Sequence, residues 1–325
     1  MKAIQIEKHG GPEVMETVDL PVPEPGEGEV RVKVEAVGLN FSDIMIREGR
    51  YVDEMPLPFV LGREFCGSID AVGPGAGELA PGQRVIGGNP MGGALAEFLV
   101  AKAARLSPIP EGFTPVEGAA LRTQGLTAMM IMDNAVKVQP GETVLVHAAA
   151  GGVGGLAVQI ALARGARVIG TTSSEAKCRM VAKLGAEAVN YTEGDWVKEV
   201  LALTDGKGAD IILESIGGEI LLRSYNEALA IFGRLVIYGA ASGDIVQFDN
   251  REILASNRTL MGFYLSRHFP DHLDRIGEAI GKLLAMIRAG TLKLTIDQTF
   301  PLERAADAFN HIQTRKNTGK VVVIP

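Results

Sequence analysis

Cysteine is scarce: the 325-residue chain has two, Cys66 and Cys178. That number excludes a disulfide framework and a multi-cysteine zinc site, and it fits a reducing compartment. An excess of positive charge is also missing. Thirty-two Lys and Arg face 39 Asp and Glu, a net charge of −7. This argues against a nucleic-acid protein, because no basic stripe offsets phosphate charge. The N-terminus, MKAIQIEKHG, lacks the apolar stretch of a signal peptide. The most apolar window, Ala148–Ala163, is short, rich in glycine and interrupted by Gln159. It reads as the buried start of a helix rather than a membrane span. The expected location is the cytoplasm.

Glycine is what the chain has in plenty: 40 of 325 residues, about 12% against a usual level near 7%. No collagen-like period or Gly/Ser tract accounts for it. The excess therefore serves turns and close backbone approaches.

Two rhythms divide the chain. Up to about residue 115, short β-branched runs such as KAIQI, EVRVKVEA, SIDAV and ALAEFLV alternate with Pro and Gly. That pattern predicts a barrel-like or rolled β domain. From about Thr123, strands alternate with helices. Thr143–His147, Arg167–Thr171, Ala188–Tyr191, Asp210–Glu214, Arg234–Tyr238 and Leu260–Leu265 read as strands. Gly152–Arg164, Glu175–Leu184, Asp195–Leu203 and Gly218–Ile231 read as helices. This spacing predicts an α/β, doubly wound parallel sheet. The last ~55 residues read as helix His272–Ala289, strand Leu292–Gln298, helix Leu302–Gln313 and strand Lys320–Ile324. They break the βα rhythm and are expected to return to the first domain. The boundaries read 1–122 with 267–325 for the β domain and 123–266 for the α/β domain.

The strongest local signal is Thr143–Thr171. A strand (TVLVH) runs into AAAGGVGG, then a helix, then a second strand. That is the context of a dinucleotide fingerprint. Its glycines let backbone approach a pyrophosphate, and the helix N-terminus offers free N–H groups. Ala149 stands in the first glycine position, with Gly151 and Gly154 in the other two. NAD-binding folds place an acid about 20 residues on, to grip the ribose hydroxyls. Here the tip reads Thr171-Thr172-Ser173-Ser174, with Lys177 and Arg179 after it. Hydroxyls and a cation suit a 2′-phosphate, so NADPH is the favoured cofactor. Ser173 or Ser174 can equally cap the next helix, with Glu175 in its first turn.

These residues resemble a family. AAAGGVGGLAVQ is similar to the cofactor turn of the quinone oxidoreductases, the zinc-free, zeta-crystallin-like branch of the medium-chain dehydrogenase/reductases. GLNFSDIMIREGRY (Gly38–Tyr51), GREFCGSIDAVGPG (Gly62–Gly75) and TGKVVVIP (Thr318–Pro325) resemble its other segments in the same order. The resemblance implies a Rossmann domain beside a GroES-like β-barrel catalytic domain. It also implies hydride transfer from NADPH to a quinone or α,β-unsaturated carbonyl. Relatives include enoyl-thioester reductases and non-catalytic NADPH-binding proteins, and both remain alternatives. Zinc-dependent relatives carry Cys near Asn40, a His-Glu pair at Arg63-Glu64, Cys or Asp near Thr123, and a four-cysteine loop after about Gly88. Asn, Arg and Thr are poor zinc ligands, so no metal site is expected. His268 and His272, separated by Pro270, read as a solvated helix start.

By resemblance, Asn40 and Asp43 line a cleft between the domains, and Asn40 donates to an acceptor carbonyl. Asp43 is equally a helix cap. Tyr51 holds the cofactor, donates a proton, or is an ordinary tyrosine. Arg63 polarises the acceptor oxygen, binds an anion, or pairs with Glu64 or Asp43. The cofactor contacts implied are Ala150, Gly151, Gly152, Val153 and Gly154 at the turn and Thr172, Ser173, Lys177 and Tyr191 at the adenosine phosphate. Thr127 faces the phosphates or the nicotinamide, Gly239 and Ala240 approach the cofactor through their backbone, Phe263 and Leu265 flank the nicotinamide, and Asn317 and Lys320 close over it; for the apolar members the alternative is plain core packing. The partner is a small molecule, without nucleic acid or membrane insertion. Relatives pair as homodimers through the edge strand of the nucleotide sheet, here Leu260–Leu265.

Overall fold

The computed structural model describes residues 1–109, 111–269 and 271–325. The chain divides into two compact units, Met1–Thr123 with Leu294–Pro325, and Gln124–Lys293. No helix among the described residues is long and apolar enough to cross a membrane.

The first unit is built on β-structure. Alternation in EVRVKVEAVG buries Val30, Val32 and Val34 on one face of strand Glu29–Gly38. That strand is central. It pairs antiparallel with Glu64–Val72, Phe98–Lys102 and Lys320–Ile324. The seven-stranded sheet continues through Arg84–Gly88 and Leu106–Pro108 on one side and ends at Ile296–Pro301 on the other. A small sheet of Glu16–Asp19, Lys2–Ile6 and Phe59–Val60 adds to it. Phe65, Leu61, Ile69, Phe309 and Val323 belong to its shared core.

The second unit holds a six-stranded, all-parallel sheet. Numbered along the chain, its strands are Thr143–Val146, Arg167–Thr172, Glu187–Asn190, Ala209–Glu214, Leu229–Ile237 and Thr259–Gly262, lying in the order 3-2-1-4-5-6. This is the Rossmann order, whose ligand crevice lies at the carboxyl ends of strands one and four. The first strand is apolar on both faces, with Val144, Leu145 and Val146 buried, as a sheet covered on both sides requires.

Three details depart from the sequence reading. Helix Gly218–Arg223 stops early, passes through a π-helical turn at Ser224–Ala228, and enters a strand already at Leu229. Arg258 holds that junction by donating to the carbonyls of Tyr225 (2.7 Å) and Leu229 (2.6 Å). The strand expected at Leu292–Gln298 forms at Ile296–Pro301. Finally, helix Leu273–Arg288 belongs to the second unit, where the sequence reading gave 267–325 to the first. Long-range polar contacts explain this. Lys282 bonds Asp133 at 3.0 Å, and Gln159 exchanges hydrogen bonds of 2.8 and 3.1 Å with the Lys293 backbone.

Candidate active site

Each unit carries one constellation. In the second, the first strand ends at Val146 and the next helix begins at Gly152, with Gly151 as its extended N-cap residue. The first-turn N–H groups of such a helix have no intrahelical partner. A Cβ at Gly151 would meet only the Ala148 carbonyl, at 3.1 Å, and one at Gly155 only the Ala149 carbonyl, at 3.6 Å. The Gln124 side chain stands against Gly152, where a Cβ would collide with it, while the turn is open at Gly151 and Gly155. Gly154 is the opposite case: a Cβ there would sit 2.9 Å from Ala149 Cα and collide with the Ala148 carbonyl. It serves the close packing that the third fingerprint glycine provides. The alanine at position 149 is explained across the sheet. A Cβ at Gly170 would lie 2.6 Å from the Ala149 Cβ, so the neighbouring strand supplies the space that the fingerprint lacks.

At the second strand's tip, Thr172 is buried. Its hydroxyl donates to the Ser174 carbonyl at 3.2 Å and lies 3.0 Å from Cys178 Sγ. Ser174, not Ser173, caps helix Glu175–Lys183 by accepting the Lys177 N–H at 3.4 Å. Glu175 is exposed and pairs with Arg179 at 3.4 Å along the helix. The last strand residues, Thr171 and Thr172, carry no acid. Tyr191 follows the third strand, with its N–H on the Thr172 carbonyl at 3.0 Å. Ser173, Lys177 and Tyr191 are half-buried around this tip. These residues fit a dinucleotide with a 2′-phosphate: an open anion cradle, then hydroxyls and a lysine.

Two buried groups at the carboxyl end of the central strands brace the sheet and were not foreseen. His147 follows the first strand, with Nδ1 at 2.8 Å from Thr171 Oγ1 and Nε2 at 2.8 Å from Ser224 Oγ. Burial pushes it down to about 3, so it is neutral. Glu214 ends the fourth strand and accepts the N–H groups of Ile216 (2.6 Å) and Gly217 (3.0 Å). Burial raises its pKa against the pull of those donors. Further along, Thr127 and Phe263 are buried, Leu265 and Gly239 half-buried and Ala240 exposed. Phe263 stacks on His268 with ring centroids 5.0 Å apart, and His268 lies 5.8 Å from His272, which precedes the helix. Pro270 lies outside the described residues.

The first unit gathers Asn40, Asp43, Tyr51 and Arg63. Asn40 precedes helix Phe41–Arg47, and Asp43 accepts the Asn40 N–H at 2.8 Å. Asp43 is therefore a cap, and it also faces Arg63 Nε at 3.4 Å. Burial raises its pKa, opposed mainly by Arg63. The Arg63 guanidinium also donates to Ser42 Oγ and stacks over the Tyr51 ring at 4.5 Å. Its side chain keeps 12% exposure. Arg63 thus pairs with Asp43 rather than Glu64. Glu64 is fully buried and bonds Lys320 Nζ at 2.6 Å, the Asn40 amide at 3.1 Å and the Thr123 N–H at 2.6 Å. Lys320, foreseen at the nicotinamide, is turned inward onto this carboxylate. Asn317 donates to the Gly319 carbonyl at 3.1 Å. A lysine opening the buried run KVVVI was the sequence signal for such a pair, since an interior ammonium needs an acid.

Comparison with known families matches residues 26–111 to the alcohol dehydrogenase GroES-like domain and residues 152–278 to the zinc-binding dehydrogenase family. The quinone oxidoreductase of Pseudomonas aeruginosa is 36% identical over 100% of this chain and 99% of its own. The chain belongs to the quinone oxidoreductase family of medium-chain dehydrogenase/reductases. A 2-haloacrylate reductase from a Burkholderia species is 34% identical over 99% of this chain and 98% of its own. The crystal structure of Escherichia coli quinone oxidoreductase complexed with NADPH superposes with a TM-score of 0.95 at 31% identity, covering both chains fully.

Despite the family's zinc-binding label, the donors here do not fit a zinc ion. Glu64 already holds the Lys320 ammonium, Asp43 faces the Arg63 guanidinium, and the remaining positions offer an amide and a threonine. Two fixed cations stand where a dication would have to enter.

Proposed function

We propose that this quinone oxidoreductase family member is an NADPH-dependent reductase of a quinone or α,β-unsaturated carbonyl, working without zinc. The observation that carries the reading is the glycine turn at Gly151–Gly154 followed by an acid-free strand tip with Ser173, Lys177 and Tyr191. Bound NADPH would supply a hydride from its nicotinamide ring. The N–H groups of Gly152, Val153 and Gly154 receive the pyrophosphate, with Ala150 in the turn before them. Thr172 shapes the tip at which Ser173, Lys177 and Tyr191 hold the 2′-phosphate. Thr127, Gly239, Ala240, Phe263, Leu265 and Asn317 are assigned to the remainder of the cofactor.

On the barrel unit, Asn40 and Arg63 polarise the acceptor oxygen, and Tyr51 holds the Arg63 plane. A second reading of Arg63 follows from its planar, partly exposed guanidinium: it receives a carboxylate on the acceptor. The Burkholderia relative, whose name specifies a haloacrylate, supports that reading. The protein is also proposed to be cytoplasmic and homodimeric through the edge strand Thr259–Gly262.

The test is NADPH oxidation over quinones such as 9,10-phenanthrenequinone, enones, unsaturated acids and enoyl-CoAs. Turnover on quinones or enones is expected. Turnover confined to enoyl-CoAs makes it an enoyl-thioester reductase, and tight NADPH binding without any turnover makes it a binding protein. Kd for NADPH should be well below that for NADH; equal affinities would sink the cofactor preference.

A further inference from the structure

Lys320 and Glu64 form an ion pair whose side chains are 1% and 0% exposed. Such a pair is a poor stabilising device. The cost of desolvating both charges offsets their attraction, and a well-packed apolar pair of the same volume is often as stable or more so. Stability therefore leaves it unexplained, and what the pair touches becomes the question. The ammonium that bonds Glu64 also donates to Asn40 Oδ1 at 2.9 Å. The Glu64 oxygen that receives it also accepts from Asn40 Nδ2 at 3.1 Å. The other Glu64 oxygen is anchored to the Thr123 N–H at 2.6 Å.

An ammonium cannot accept a hydrogen bond and a carboxylate cannot donate one. The pair therefore dictates which end of the Asn40 amide is oxygen and which is nitrogen, and a flipped amide would face a charge of the wrong kind at both ends. The backbone makes room for this. A Cβ at Gly38 would lie 2.6 Å from Lys320 Cε and collide with the Ala119 carbonyl. Asn40 is held at its backbone as well, through the Asp43 carboxylate at 2.8 Å.

We propose that Lys320 is a positioning residue that, with Glu64, locks the Asn40 side chain so that Nδ2 is the donor offered to the acceptor oxygen. One Nδ2 hydrogen stays on Glu64. The other rests on the Gly38 carbonyl at 3.2 Å, the longest bond of the set, and is the one that moves to the acceptor. Lys320 acts through Asn40. The inference rests on the reductase reading above.

The test uses full-length protein labelled with 15N-asparagine, the Asn40 side-chain amide being assigned by its loss in Asn40→Ala. Lys320→Met is compared with the charge-free pair Glu64→Gln/Lys320→Met, which leaves no uncompensated buried charge and keeps the test alive if the single variant fails to fold. Both should displace or broaden the Asn40 amide resonances and lower kcat/KM at least 30-fold, while NADPH Kd stays within twofold. Asn40→Ala/Lys320→Met should be no slower than Asn40→Ala alone. Losses that multiply, a kcat/KM within threefold of the parent, or a tenfold rise in NADPH Kd overturns the proposal. If the parent turns over no acceptor, the reductase reading fails by itself. The amide resonances still decide the lock: unmoved signals in both variants refute it.

Discussion

Arg63 and Lys177 are two cations whose proposed duties are separable. Replacing Arg63 by Met removes the guanidinium stacked on Tyr51 and paired with Asp43. We expect kcat/KM for the true acceptor to fall by about tenfold or more, the size of a lost charged hydrogen bond, with NADPH Kd unchanged. A parent-like kcat/KM leaves Arg63 only its structural pairing. Lys177→Ala should do the reverse. NADPH Kd should rise about tenfold in a fluorescence titration if Lys177 makes the proposed charge-assisted contact to the 2′-phosphate, while NADH Kd stays level. His147 gives a pH prediction. Its pKa lies at about 3 in the fold and near 6.5 in the unfolded chain. A depressed folded pKa stabilises the fold above the unfolded value and surrenders that stability as pH falls. Between pH 6 and 4, parent stability in urea should therefore drop by about 1.4 kcal/mol per pH unit more than that of His147→Gln. Parallel pH profiles would show that His147 is not buried neutral. The site residues were legible to different depths. The glycine turn was open to view because backbone geometry forces its composition. Glu64 was not, because only the sheet brings it to Lys320, 256 positions along the chain.

At the scale of elements, the cofactor turn works as a unit with its neighbouring strand. Ala149 occupies the volume that Gly170 leaves empty. Gly170→Ala should cost about 1–3 kcal/mol through overpacking, seen as a lowered Tm. Ala149→Gly/Gly170→Ala should recover part of that loss, because the crowding is shared; independent, additive losses would show that the two positions do not share a space. The imperfect fingerprint was readable in the sequence, but its compensation was not, since a parallel register (Gly170 beside Val146) sets the contact. The helix expected to run to Ile231 failed for a related reason. Its residues suit a helix locally, yet Arg258, just before the last strand, holds the carbonyls at Tyr225 and Leu229.

For the whole molecule, two measurements bear on assembly and cofactor. Sedimentation should give twice the 34.4 kDa chain mass, and Met261→Lys on the edge strand should return the protein to a monomer. A monomeric parent removes the edge-strand dimer. NADPH at about 100 times its Kd should stabilise the fold by about 2.7 kcal/mol, raising Tm by several degrees more than NADH at equal concentration. The sequence by itself determined the two kinds of unit, their order, and the glycine turn between the first strand and helix of the second. Those features are written in local periodicity and in glycines whose spacing reflects nearby backbone. Only the tertiary structure decided that helix Leu273–Arg288 joins the second unit, through Asp133. It alone decided that Arg63 takes Asp43 and Lys320 takes Glu64. Buried charges choose partners by which strands lie side by side, and that adjacency exists only once the chain has folded.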